Sequence, residues 1–115
     1  MTPEQQHDKF ARLHFEKIYP MYVEKVTRKG RTVADLDIVL SALTGFETPS
    51  AASGNYAELF ERAEFAPWAD KITGVICGVR VETLEDPLIK KARQIDKVVD
   101  ELAKGKTIEK IKREV

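Results

Sequence analysis

The feature that most constrains the fold is a capped, amphipathic segment near the C-terminus, "EDPLIKKARQIDKVVDELAKG". Asp86 and Pro87 are typical of an N-cap and a first helical residue, and Gly105 is typical of the residue after a helix. Ile89 and Val98 widen the apolar face beyond a coiled-coil seam, which favours a long helix packed on a globular core. The apolar positions recur every four or three residues, as one helical face requires: Leu88, Ala92, Ile95, Val99 and Leu102.

Three acidic residues flank this apolar face: Asp96, Asp100 and Glu101. Because carboxylates are rarely buried, we expect all three to face solvent. The face itself can pack within the chain or against a second copy, so a homodimer stays open.

Other capping signals predict helices along most of the chain. Thr2, Pro3 and Gln5 form a capping box with proline at the first helical position. Pro20 is predicted to kink or end that helix, because proline lacks a backbone donor. A clearer helix is predicted over 33–44, after the cap Thr32 and before the terminating glycine Gly45.

Two shorter helices are predicted after Asn55 and after Thr107. Together these elements predict an all-α fold, a compact bundle of five to seven helices in a single domain over residues 1–115.

The stretch "ITGVICGVRVE", residues 72–82, is ambiguous. Its β-branched residues favour a strand, but four apolar residues follow the helical spacing i, i+3, i+4, i+7. Gly74 and Gly78 lie four apart, so on a helix they form a groove for close backbone approach. We therefore predict a helix, with an α+β fold containing a short strand at 72–81 as the alternative. The four apolar positions are Ile72, Val75, Ile76 and Val79.

Composition excludes several classes of protein. The 115 residues are 43% hydrophobic and 33% charged, with 19 basic and 19 acidic residues. This balance disfavours strong non-specific binding to nucleic acid. No apolar run is long enough to span a bilayer, and the N-terminus lacks the basic and apolar regions of a signal peptide. The sequence therefore predicts a cytoplasmic protein with no membrane partner.

Catalytic and metal-binding signals are weak. Cys77 is the single cysteine, and a nucleophilic role needs a histidine or a cation beside it to lower its pKa. The candidates are His7, His14 and Arg80, which is three residues away. A small buried cysteine is the simpler interpretation. The two histidines are predicted on one helix, two turns apart, which is too far for shared metal ligation. We predict no cofactor or metal site and assign no catalytic residue.

A ligand site is predicted around the kink at Pro20. Tyr19 and Tyr22 flank this proline, and Arg31 and Arg80 are cations that need partners. These four side chains are the candidate ligand-binding residues.

An anion site is predicted where a basic run meets a helix start. Lys29 and Arg31 precede Thr32, whose following backbone N–H groups can bind a phosphate or carboxylate. The chain has one basic cluster at 25–31 and a second at 104–113. Together they can contact a nucleic-acid backbone, although the zero net charge of the chain does not favour such binding.

Several phrases together resemble a family of small bacterial proteins known as domain of unknown function 2200. They are "IYPMYVEK", "KGRT", "LTGF", "ITGVICGVRVE", "EDPL", and "DKVVDELAKGK" followed by "IEKI". The resemblance runs from about Phe15 to Ile111 and implies no activity or catalytic residue. The chain departs from the family pattern at Ala42, where an aromatic residue is expected, and in a shorter, Ser/Ala-rich loop at 46–55.

These observations favour a non-enzymatic binding or protein-interaction module. The alternative is a nucleic-acid or phosphate-ligand binder using the clusters at 25–31 and 104–113. A small enzyme using Cys77 is the third hypothesis.

Overall fold

The computed structural model describes residues 1–113 as a mainly helical fold, which confirms the all-α class. A two-stranded antiparallel sheet and short 3-10 turns connect the helices. Among these residues, no helix is both long and apolar enough to cross a membrane. The elements are α1 (Pro3–Ala11), α2 (Phe15–Arg28), α3 (Val33–Thr44), α4 (Tyr56–Arg62), β1 (Val75–Ile76), β2 (Val79–Arg80), α5 (Pro87–Ala103) and α6 (Ile108–Ile111).

Helix α5 is the centre of the fold, as its sequence pattern predicts. Asp86 caps it by accepting hydrogen bonds from the backbone N–H groups of Leu88 and Ile89 at 2.9 and 3.2 Å. The helix contacts all five other helices and β1. Seven of its apolar side chains are buried, more than in any other helix, which makes α5 the main contributor to the core: Ile89, Ala92, Ile95, Val98, Val99, Leu102 and Ala103.

Helix α3 begins and ends where the sequence predicts. The Thr32 hydroxyl accepts from the backbone N–H of Asp35 at 3.1 Å. Gly45 has φ +78°, and a Cβ there would lie 2.9 Å from the carbonyl oxygen of Glu64. Only glycine suits this position, since it allows both the left-handed conformation and the close backbone approach.

The prediction that Pro20 ends the first helix is wrong, because the chain breaks at residues 12–14 instead. At that point the Leu13 carbonyl accepts from the Tyr56 N–H at 2.8 Å, and the Phe15 N–H donates to the Gly54 carbonyl at 3.1 Å. Pro20 lies inside α2 on its exposed side. Buried residues before and after it hold the helix in place, so tertiary packing outweighs the local cost of proline; they are Phe15, Tyr22 and Val26.

The predicted helix at residues 72–82 is also wrong. Val75 pairs with Arg80 and Ile76 with Val79 in an antiparallel hairpin, so the strand alternative is nearer to the observed local structure. The turn residues Cys77 and Gly78 have φ of +50° and +79°, the positive pair of a type I′ turn.

The helical spacing in this segment does not form a buried face. Ile72 is 1% exposed, whereas Val75, in the same predicted stripe, is 52% exposed. Gly74 has φ +109°, and its carbonyl accepts from the Val81 N–H at 3.0 Å to close the hairpin. Gly78 therefore shapes the turn, and Gly74 lies beside α5, where a Cβ would be 3.1 Å from Cε of Lys97.

Candidate functional site

A concave pocket of about 550 Å³ lies between α1, α2, α5 and the hairpin turn. We call it the α1–α2–α5 pocket. Six of its fourteen lining residues are apolar: Phe10, Leu13, Ile18, Met21, Ile76 and Ala92. The polar and charged lining residues are Lys9, Lys17, Tyr22, Lys25, Tyr56, Cys77, Arg93 and Asp96.

Helical spacing explains how two helices place these side chains together. On α2, Ile18, Met21, Tyr22 and Lys25 line the pocket. Residues three and four apart share one helical face, and this face continues past Pro20 because the helix is not interrupted there. Ala92, Arg93 and Asp96 form the corresponding surface of α5.

A hydrogen-bonded network joins three helices at the pocket. The Tyr22 hydroxyl donates to Oδ1 of Asp96 at 2.5 Å, and Nη1 of Arg93 donates to Oδ2 at 3.1 Å. The Arg93 guanidinium also lies over the ring of Phe10, 4.9 Å from its centroid. The network therefore fixes the side chains of α1, α2 and α5 relative to one another.

Two buried tyrosines line the pocket beside Asp96. Burial, followed by the negative charge of Asp96, raises the pKa of Tyr22 well above its usual value. The same two causes raise the pKa of Tyr56, and the nearby Tyr22 hydroxyl only partly offsets them. Both phenols are therefore neutral near pH 7, so they can donate hydrogen bonds and are poorly suited to act as general bases.

Four cations and one carboxylate line the pocket. Lys25 Nζ lies 3.1 Å from Oδ1 of Asp100, and Arg93 is paired with Asp96. Lys9 and Lys17 are exposed, and neither forms an ion pair within residues 1–113. The pocket therefore carries positive charge that its own carboxylate does not neutralise.

Cys77 lines the pocket at the hairpin turn and is exposed, so the interpretation of a buried cysteine is wrong. Nδ1 of His7 lies 2.6 Å from Oδ2 of Asp86, and Nδ1 of His14 lies 3.1 Å from Oε1 of Glu16. Neither histidine lines this pocket, so the lining contains no Cys–His pair. His14 is the N-cap of α2, which separates it from His7 on α1.

Only Tyr22 of the four predicted ligand-binding residues lines this pocket. The hydroxyl of Tyr19 donates to Oδ1 of Asp37 at 2.5 Å, between α2 and α3. The Arg80 side chain is 63% exposed and lies 3.5 Å from a Glu82 oxygen. The structure therefore does not bring Tyr19, Tyr22, Arg31 and Arg80 together.

Two of the three residues of the predicted anion site, Arg31 and Thr32, already have partners in the chain. The hydroxyl of Thr32 accepts from the Asp35 N–H, and Nε of Arg31 lies 3.8 Å from Oδ2 of Asp35. Lys29 is exposed at the end of α2. The Asp35 carboxylate occupies the first turn of α3, where it competes with any external anion.

The two basic clusters meet at one buried carboxylate. Asp100 is 9% exposed, and its oxygens lie 3.1 Å from Lys25 and 2.9 Å from Lys104. Glu101 is 8% exposed and binds cations from the second cluster. The expectation that these acids face solvent is therefore wrong. Six of the nine cations in the two clusters form ion pairs: Lys25, Arg28, Arg31, Lys104, Lys106 and Arg113.

Sequence reasoning missed most of this pocket. It treated Asp96 as a solvated acid, but Asp96 accepts hydrogen bonds from both Tyr22 and Arg93. The spacing of Arg93 and Asp96, three residues apart on a helix, is the one local signal that pairs them. Nothing in the sequence places Phe10 beside Arg93, because that contact joins α1 to α5 across the fold.

Comparison with known proteins identifies one family, whose description states no activity. The sequence profile of a family described as "Uncharacterized protein conserved in bacteria (DUF2200)" matches residues 9–113. A crystal structure titled "Crystal structure of uncharacterized protein SP1917" is similar, with 38% identity and a TM-score of 0.80. The similarity covers 90% of this chain and 89% of that chain. Among curated proteins, none matches this chain significantly.

Proposed function

The chain belongs to the DUF2200 family of bacterial proteins, and we propose that it is a non-enzymatic small-molecule-binding protein. Its ligand occupies the α1–α2–α5 pocket. The observation that carries this proposal is an apolar wall combined with a fixed polar network in one concavity. Ligand sites typically have this composition, with a few convergent polar groups among apolar side chains.

The size of the pocket supports a small molecule as the ligand. Small-molecule sites usually have volumes of roughly 300–1,000 Å³, and this pocket has about 550 Å³. The contacts of Asp96 with Tyr22 and Arg93 order the site before any ligand binds. An ordered site loses less conformational entropy on binding, which favours affinity.

The alternative, nucleic-acid binding through the two basic clusters, has less support. Most of the cations in those clusters are paired with Glu24, Asp35, Asp100 or Glu101. Contact with phosphates would have to compete with these intramolecular carboxylates.

An NMR titration with decanol, a neutral apolar probe, tests the proposal. We expect the largest backbone shift changes at pocket residues such as Phe10, Ile18 and Ile76. The variant Met21→Glu alters an exposed wall residue and should weaken binding roughly fivefold, the factor for losing about 1 kcal/mol. Ile38→Glu is the matched control, since Ile38 is an exposed apolar helical residue, like Met21, that does not line this pocket.

Two results would overturn the proposal. One is a titration in which no pocket resonance moves. The other is an equal loss of affinity in the two glutamate variants, because the effect would then not depend on whether the substituted residue lines the pocket.

A further inference from the structure

We infer that the ligand of the α1–α2–α5 pocket is an anionic amphiphile. Its apolar tail lies against the pocket wall, and its carboxylate or phosphate head lies between Lys9 and Lys17. This inference rests on the proposed function and adds the chemical class of the ligand.

The pocket lining has four cations and one carboxylate. The single lining carboxylate, Asp96, is already bound through both oxygens, by Tyr22 and by Arg93. Lys25 is paired outside the pocket with Asp100. Internal ion pairs therefore account for two of the four cations and leave Lys9 and Lys17 without a carboxylate among residues 1–113.

Lys9 and Lys17 lie beside apolar residues of the pocket wall. Lys9 directly precedes Phe10 on α1, and Lys17 directly precedes Ile18 on α2. All four residues line the pocket, and both lysines are exposed while both apolar residues are partly buried. Lysine keeps its ammonium group in water while its stem covers apolar surface, so each helix offers an apolar contact next to a solvated cation.

The apolar wall and the two lysines that are unpaired within the described part of the chain together favour one class of ligand. A neutral apolar molecule uses the wall but leaves the two ammonium groups without partners. A cationic amphiphile brings like charge towards Lys9 and Lys17, which is unfavourable. An anionic amphiphile satisfies both surfaces, and charge complementarity therefore selects it among molecules with the same tail.

Three probes with one tail and different heads test the inference: decanoate, decanol and decyltrimethylammonium, each below its micelle concentration. We expect decanoate to bind roughly three- to tenfold more tightly than decanol, the range for one or two exposed ion pairs. Decyltrimethylammonium should bind most weakly. Added salt should reduce the difference between decanoate and decanol, because exposed charges are screened.

The double variant Lys9→Gln/Lys17→Gln should lose the preference for decanoate over decanol, because it removes both lining cations that are unpaired in the part of the chain that the structure describes. The matched control is Lys29→Gln/Lys110→Gln, which removes the same charge from two exposed lysines outside the pocket. This control should keep the preference.

The outcomes separate the two proposals. If none of the three probes binds, the proposed small-molecule function is wrong and the inference falls with it. If decanol and decanoate bind equally, or if the Lys9/Lys17 variant retains the preference, only the anionic class is wrong. An equal loss of preference in both double variants also overturns the inference, since net charge alone would then explain it.

Discussion

The Tyr22 hydroxyl donates a 2.5 Å hydrogen bond to Oδ1 of Asp96, joining α2 to α5 beside the pocket. Tyr22 is 8% exposed, so this bond is shielded from water. Asp96 holds Arg93 with its other oxygen, and Arg93 in turn lies over Phe10 of α1. One carboxylate on α5 therefore organises side chains of α1 and α2, two helices from the opposite end of the sequence.

Removing the Tyr22 hydroxyl should destabilise the protein. Tyr22→Phe should lower the free energy of unfolding by about 1.5–3 kcal/mol, because the bond involves a charged acceptor and is largely buried. Tyr19→Phe is the control, since Tyr19 makes an equally short bond to Asp37 at a less buried position. Urea unfolding measures both, and a loss for Tyr19→Phe as large as that for Tyr22→Phe would contradict the role of burial.

Stability should fall at alkaline pH. Burial is the largest cause that raises the pKa of Tyr19, Tyr22 and Tyr56, all three tyrosines of the chain, and nearby carboxylates add to it. An unfolded tyrosine loses its proton near pH 10, whereas the folded protein retains it. The unfolded state then binds fewer protons, so the free energy of unfolding decreases above about pH 10.

The measurement is tyrosinate absorbance recorded alongside far-ultraviolet circular dichroism during an alkaline titration. We expect tyrosinate to form together with the loss of helix. Full ionisation of the tyrosines while the circular dichroism is unchanged would contradict the prediction.

The hairpin turn should respond to substitution at both central positions. Cys77 has φ +50°, a conformation that asparagine tolerates better, so Cys77→Asn should raise the free energy of unfolding by about 0.5 kcal/mol. Gly78→Ala should lower it by about 1–2 kcal/mol. A Cβ at Gly78 meets no atom within 4 Å, so the cost is conformational and not steric. Thermal unfolding of the two variants checks the opposite signs; equal signs would contradict the type I′ turn.

The buried carboxylate of Glu101 should make Arg113 important for stability. Nη2 of Arg113 lies 2.6 Å from Oε2 of Glu101, with side chains only 17% and 10% exposed. Arg113→Ala should cost about 3 kcal/mol or more, because it removes the closest cation from a buried charge. Arg28→Ala breaks an exposed pair with Glu24 and should cost less than about 1 kcal/mol. Chemical denaturation measures the free energy of unfolding of both variants. Similar losses would contradict the prediction, because the charge of Glu101 would then not depend on Arg113 for its compensation.

The parts of the fold that could be predicted are those whose signals are local. The caps Thr32 and Asp86 lie beside the helices that they begin, and both make the expected hydrogen bonds. The helix end at Pro20 and the helix at 72–82 were predicted wrongly because local sequence signals do not report tertiary packing. Local propensity at Pro20 was outweighed by packing on both sides of it, and the spacing of Ile72 and Val75 could not reveal that only Ile72 is buried.

The candidate site was harder to predict than the fold. Tyr22 was identified as a ligand candidate and does line the pocket. Its bond to Asp96 spans 74 residues of sequence, and no spacing rule applies over that distance. Arg80 was grouped with Tyr22 on the assumption of a helix, and the hairpin instead leaves it exposed beside Glu82.

The sequence by itself determined where most helices begin and end and which faces of α3 and α5 are apolar, because capping and periodicity act between residues only a few positions apart. It also carried the family resemblance. Only the tertiary structure decided that Phe10, Tyr22 and Asp96 meet in one pocket and that Asp100 and Glu101 are buried. Those outcomes depend on how whole helices pack against α5, and packing is set by the combined burial of many side chains and not by any local pattern.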